Sequence, residues 1–86
     1  MQFVEGAPLL AVEVLSPSDS HEGTTDKIGT YLRCGVKLVW IVDPVFQTVT
    51  VFRPDTAPAL FNATQEIDGG TSLPGFRVAI REFFAR

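Results

Sequence analysis

With 86 residues, 45% of them hydrophobic and 20% charged, the chain has the mixture of one globular domain, 1–86, and of neither a disordered nor a fibrous protein. A domain of this size buries only roughly 60% of the surface its unfolded form exposes, so the core is thin and self-association would add to it. The formal net charge of −3 excludes a general cationic field as a source of nucleic-acid affinity and leaves only a local basic patch to supply one.

In chain order, residues 1–6 carry Glu5 where an export signal has a basic start and an apolar core, so a cytoplasmic location is expected. Residues 9–15, rich in Leu and Val and bounded by Pro8 and Ser16-Pro17, read as a buried strand. Alternation puts Ala11, Glu13 and Leu15 on one face and Leu10, Val12 and Val14 on the other, so a carboxylate sits in mid-strand. The polar residues 18–23 lead into a helix that starts at Glu22 or Thr24, runs to Cys34 and stops at Gly35. Gly23, Gly29 and three threonines weaken its propensity, so packing must hold it. Lys27, Tyr31 and Cys34 share one helical stripe with Ile28 and Leu32 beside it, which places Lys27 at the border of the buried face. Cys34 is the sole cysteine, which excludes an internal disulfide and a multi-cysteine zinc site, and it is expected to be buried and inert.

Residues 36–43 form the best strand, ended by Asp43-Pro44. No apolar run here or at residues 9–15 approaches the ~20 residues of a membrane span. Residues 47–53 alternate, with Val49 and Val51 opposite Thr48, Thr50 and Phe52, and predict an antiparallel hairpin with the preceding strand. A proline-bounded loop at 53–58, a short edge strand at 59–65, turns at Gly69-Gly70 and Pro74-Gly75, a strand at 76–80 and a terminal turn at 82–84 complete the chain. The cations Lys27, Arg33 and Lys37, and Arg77, Arg81 and Arg86, read as solvated surface. The sum is an α/β (α+β) domain with a mixed, mostly antiparallel sheet and one main helix.

Glu13 is the most unusual placement. A carboxylate inside an apolar strand must be paired, protonated or bound to a metal if it is buried, whereas on an edge strand it simply meets water. As a ligand, Glu13 with the adjacent backbone carbonyl of Val14 offers the hard oxygens that magnesium takes. Lys27 reaches the same pocket if its stem lies along apolar surface, and a Glu–Lys pair there suits metal-assisted hydrolysis; the alternative has Lys27 in solvent, paired with Asp26 or Glu22.

The run Ala7-Pro8-Leu9-Leu10-Ala11-Val12-Glu13-Val14-Leu15-Ser16-Pro17-Ser18-Asp19, followed by Lys27, Tyr31, Gly35-Val36, Trp40-Ile41-Val42-Asp43-Pro44 and Leu73-Pro74-Gly75-Phe76, resembles the Uma-two family of restriction endonucleases. That family lies within the PD-(D/E)xK nuclease superfamily, so the resemblance implies a restriction-endonuclease-like fold and magnesium-dependent phosphodiester hydrolysis of DNA. It implies Glu13 as the second acidic ligand and catalytic residue, with Val14 beside it at the metal. The lysine expected two residues later is Leu15 here, and its role passes to Lys27. Ser16 and Ser18 fall in the family's signature, where they cap the helix or position water and phosphate; Asp19 and Tyr31 are candidate supporting residues. Tyr31 and Trp40 also read as core aromatics with a polar handle, and Asp43 as a turn residue. The family pattern places a first catalytic Asp in an upstream half that this sequence does not include, with Glu5 the one acidic residue ahead of the signature strand.

Three functions follow as expectations. The first is a truncated nuclease-like domain of weak or no activity, completed by another chain. The second is a noncatalytic, homo-oligomeric assembly module that pairs through the edge left by missing strands. The third is a nucleic-acid-binding module without hydrolysis.

Overall fold

The structure, a computed structural model, describes residues 9–71 and 73–84. Its elements follow the order β1 (Leu10–Val14), α1 (His21–Arg33), β2 (Leu38–Asp43), β3 (Thr48–Arg53), β4 (Thr56–Phe61), β5 (Glu66–Gly69), β6 (Leu73–Ala79) and the short 3₁₀ turn η1 (Ile80–Phe83). A four-stranded sheet runs β1-β2-β3-β4 and a separate ribbon pairs β5 with β6. β1 lies parallel to β2, with Glu13 opposite Ile41, because α1 carries the chain back across the sheet; the β2–β3 and β3–β4 pairs are antiparallel hairpins. This is the mixed, mostly antiparallel sheet with one helix that the sequence predicts.

Burial follows the period-2 rule through the sheet. Every residue of β2 from Leu38 to Val42 is buried, since this strand is covered on both faces. On one face Ala11, Val39 and Ile41 pack with Tyr31 and Val36, joined by Ile28 and Leu32 of α1. On the other, Leu38, Trp40, Val42, Val49 and Val51 pack with Ile67 of β5 and Ile80 of η1. The domain is therefore three layers, with the sheet between a helix and a ribbon.

The local signals act as the chemistry of the turns requires. Asp43 Oδ1 accepts from Val45 N at 2.9 Å and Phe46 N at 3.3 Å, closing the β2–β3 turn, so Asp43 is the turn residue the sequence suggests. Gly35, with φ 97°, ends α1: its N–H reaches Leu32 O at 3.1 Å and Val36 N–H reaches Tyr31 O at 3.1 Å, the paired bonds of a Schellman cap.

Four expectations are corrected. Residues 9–15 do not form a strand buried on both faces: β1 pairs with β2 alone among the described strands, and the ribbon covers the middle of the sheet, leaving Val12 and Val14 47% and 61% exposed. The loop expected at 53–58 is two residues, Pro54 and Asp55, and β4 begins at Thr56; Pro58 is tolerated because β4 is an edge strand whose register shifts between Val51 and Arg53. Pro74-Gly75 lies inside β6 rather than between elements, at the irregular end of the ribbon where Gly69 pairs with Leu73. Cys34 is exposed, because as the C-cap of α1 it has turned away from the sheet. Glu5 and Arg86 lie outside the described residues.

Candidate active site

The site is built where α1 crosses β1. Glu13 shares the face of β1 that carries Ala11, so its side chain rises towards the helix. Lys27 and Tyr31 are four residues apart on α1 and so stand one above the other on a single face. The carboxylate meets both: the Tyr31 hydroxyl donates to Oε1, and Lys27 Nζ stands 3.9 Å from Oε2. Tyr31 is only 5% exposed, the Glu13 side chain 28% and the Lys27 side chain 57%, so the three groups form a gradient from core to solvent. Glu13 is thus held from the buried side by a neutral donor and faces a cation on the open side.

Burial first, then the hydrogen bond to Glu13 and its negative charge, push the Tyr31 hydroxyl up to about 12. Tyr31 therefore stays protonated and able to donate across the whole neutral range. The Lys27–Glu13 pair is half in solvent, where such pairs contribute about 0–1 kcal/mol. Its consequence is the placement of a positive charge beside a carboxylate oxygen, and little of the fold depends on it. The alternative partners Asp26 and Glu22 make no ion pair with Lys27 among the described residues.

Ser16, Ser18 and Asp19 form a small polar turn after β1. Ser16 N donates to Asp19 Oδ2 at 2.8 Å, the Ser16 and Ser18 hydroxyls lie 3.0 Å apart, and Asp19 N returns a bond to Ser16 O at 3.0 Å. None of this reaches Glu13. The capping role expected of Ser16 or Ser18 belongs instead to Ser20, whose Oγ accepts from Gly23 N at 2.9 Å, because the helix begins at His21 and the other two serines lie too far upstream. Trp40 is a core aromatic, packed 5.8 Å from Phe76 and 6.0 Å from Phe83 between ring centroids, but its buried Nε1 has no hydrogen-bond partner.

Glu13 and the backbone of Val14 are oxygen donors of the kind magnesium takes, and no group of three or more His, Cys, Asp or Glu side chains converges anywhere among the described residues. The donors present are compatible with magnesium but would supply only part of its ligands. A cleft of about 320 Å³ opens beside the first half of α1, lined by Leu15, His21, Thr24, Ile28, Thr50 and Phe52 among others, and a second of about 230 Å³ adjoins it at Ser16 and Asp19. Neither is lined by Glu13 or Lys27, so the pair stands beside these clefts and not within them.

Lys27 and Glu13 meet outside both clefts rather than in the common pocket expected of them, and sequence reasoning did not pair Glu13 with Tyr31. The signal was available in the four-residue spacing of Lys27 and Tyr31, which delivers two donors to one acceptor.

A mixed, mostly antiparallel sheet with one crossover helix between its two parallel strands is an architecture of the restriction-endonuclease-like class. The family model for Uma2, described as "Putative restriction endonuclease", matches residues 1–81. The chain belongs to this family. A crystal structure described as "a putative nuclease belonging to DUF820" from Anabaena variabilis ATCC 29413 superposes with a TM-score of 0.80 at 29% sequence identity. The match covers 92% of this chain and 45% of that one, so the chain spans under half the length of the protein it resembles. Comparison with curated proteins gives no match. No described helix is long and apolar enough to cross a membrane.

Proposed function

We propose that the chain carries one half of a magnesium-dependent phosphodiesterase site acting on DNA, with Glu13 as an acidic metal ligand and Lys27 as the cation that stabilises charge on the phosphate. In the reaction, a water oxygen bonds to phosphorus and one ester P–O bond breaks, leaving a phosphomonoester and an alcohol. Magnesium, when bound, lowers the pKa of a coordinated water and so supplies the nucleophile. Glu13 and the Val14 carbonyl would hold it. Lys27, more than half exposed, can reach a phosphate oxygen as negative charge grows there. The observation that carries this reading is the approach of Lys27 Nζ to 3.9 Å of Glu13 Oε2.

One described carboxylate is a weak hold on magnesium, so this chain alone is expected to cleave DNA slowly or not at all, with a further acidic ligand coming from another segment or a second copy. The test is cleavage of plasmid DNA with magnesium by the chain and by Glu13→Ala. Cleavage that persists undiminished in the variant defeats the assignment.

A second reading, a homo-oligomeric assembly module, is favoured by the edge of β1, which no described strand covers, and by the exposed Val12 and Val14 on it. Mass measurement in solution across a concentration series separates the two, and a strict monomer counts against assembly.

A further inference from the structure

The Glu13 carboxylate has two oxygens with unlike surroundings. Oε1 is taken by the hydroxyl of a residue that is 5% exposed and wedged against Ala11, Val36, Val39 and Ile41, so neither the donor nor the bonded oxygen has room to wander. Oε2 faces the ammonium of a side chain that is 57% exposed and bound at the outer limit of an ion pair. A glutamate has three side-chain torsions and, when free, samples several rotamers. A bond to one oxygen from a rigid aromatic removes most of that freedom, as the outer partners of a metal-binding side chain generally do.

We propose that Tyr31 is the positioning residue of this site: by anchoring Oε1 it presents Oε2, the oxygen on the Lys27 side, as the single outward ligand. Tyr31 touches neither cation nor phosphate in this arrangement and acts only through Glu13. The inner oxygen is engaged from the buried side, so a cation approaching from solvent meets first the outer oxygen, with a positive charge beside it. The chemical part of this inference rests on the half-site function proposed above; the anchoring of Glu13 does not.

The four-residue step from Lys27 to Tyr31 is what makes the device work. A residue two or five positions on would turn away from the carboxylate, whereas the step of about one turn stacks the two donors so that the carboxylate's oxygens are divided between them. The face of α1 bearing these side chains is the one packed on the sheet through Ile28 and Leu32, which keeps the donors in register with β1.

The test compares the chain with Tyr31→Phe, which keeps the ring and removes the hydroxyl. Three-bond couplings of the Glu13 side chain report its rotamers by nuclear magnetic resonance, and manganese added at low concentration reports cation binding by broadening the signals nearest to it. The expected result is one dominant Glu13 rotamer in the parent chain and several in the variant, with manganese affinity at Glu13 about tenfold weaker. Unchanged rotamer populations in a folded variant overturn the proposal. Broadening that does not centre on Glu13 in the parent chain instead overturns the half-site function, and the rotamer comparison still decides the role of Tyr31. Should the variant not fold, 3-fluorotyrosine incorporated at this sole tyrosine gives one fluorine signal. That signal is expected to move when Glu13 is replaced by Gln, and a signal that does not respond refutes the contact.

Discussion

Replacing Glu13 by Gln removes a charge from the site with almost no change of shape, and Tyr31 reads the result. The Tyr31 hydroxyl is pushed from 10.0 up to about 12, with burial the largest cause and the hydrogen bond and charge of Glu13 adding to it. Gln leaves burial untouched and keeps an acceptor oxygen, so only the part due to the negative charge is lost. Hydrogen bonds to charged groups contribute about 1.5–3 kcal/mol and neutral ones about 0.5–1.5 kcal/mol, a difference of about 1 kcal/mol. At 1.36 kcal/mol per unit this corresponds to roughly 0.7 of a pH unit. The Tyr31 midpoint in Glu13→Gln is therefore expected to fall by about half a unit to one unit and to remain above 10. Tyr31 is the sole tyrosine, so the absorbance of ionised phenol during an alkaline titration reports it alone. A midpoint unchanged in the folded variant would mean that the hydroxyl does not bond Glu13; a fall all the way to 10 would mean that burial is not the leading cause.

The same shift makes a claim about stability. Above pH 10 the unfolded chain ionises its tyrosine while the folded chain does not, so the stability contributed by Tyr31 is complete below pH 10 and is lost as the pH rises towards 12. The loss is at most about 3 kcal/mol, reduced by solvent on the Lys27 side, and urea unfolding of Tyr31→Phe is expected to lack it. Gly69→Ala is expected to destabilise the ribbon by about 2 kcal/mol or more in urea unfolding, since a Cβ there would sit 2.2 Å from Leu73 Cβ and 2.4 Å from its carbonyl oxygen. Ser20→Ala removes the cap of α1 and is expected to cost about 1 kcal/mol by the same measurement. Lys27→Ala, by contrast, is expected to leave the unfolding free energy within about 0.5 kcal/mol of the parent, because the pair is half in solvent.

The parts of the fold that were legible are those whose signals are dense. Five consecutive apolar residues from Leu38 to Val42 announce a strand covered on both faces, and Thr48 to Arg53 alternates cleanly because one of its faces looks at the core. β5 is not legible because its four residues, Glu-Ile-Asp-Gly, carry one apolar side chain and no period to read. β6 was cut short because Pro74-Gly75 ordinarily signals a turn, and only the register shift opposite Gly69 lets the strand absorb it. The helix start moved to His21 because three serines compete to cap it, and local sequence does not say which reaches Gly23. At the site, strand alternation sufficed to turn Glu13 towards the helix, and helical spacing sufficed to stack Lys27 and Tyr31. What those patterns lack is the rotation of α1 about its own axis, which tertiary packing of Ile28 and Leu32 sets and which decides whether the hydroxyl arrives at the carboxylate.

The placement of the two indicator aromatics has an experimental use. Tyr31 lies between helix and sheet while Trp40, the sole tryptophan, lies on the opposite side of the sheet against Phe76 and Phe83. Each layer thus carries its own optical label, with indole emission following detachment of the ribbon and phenol absorbance following that of the helix. A stopped-flow experiment recording both can time the docking of the two layers separately, without a dye or an engineered residue.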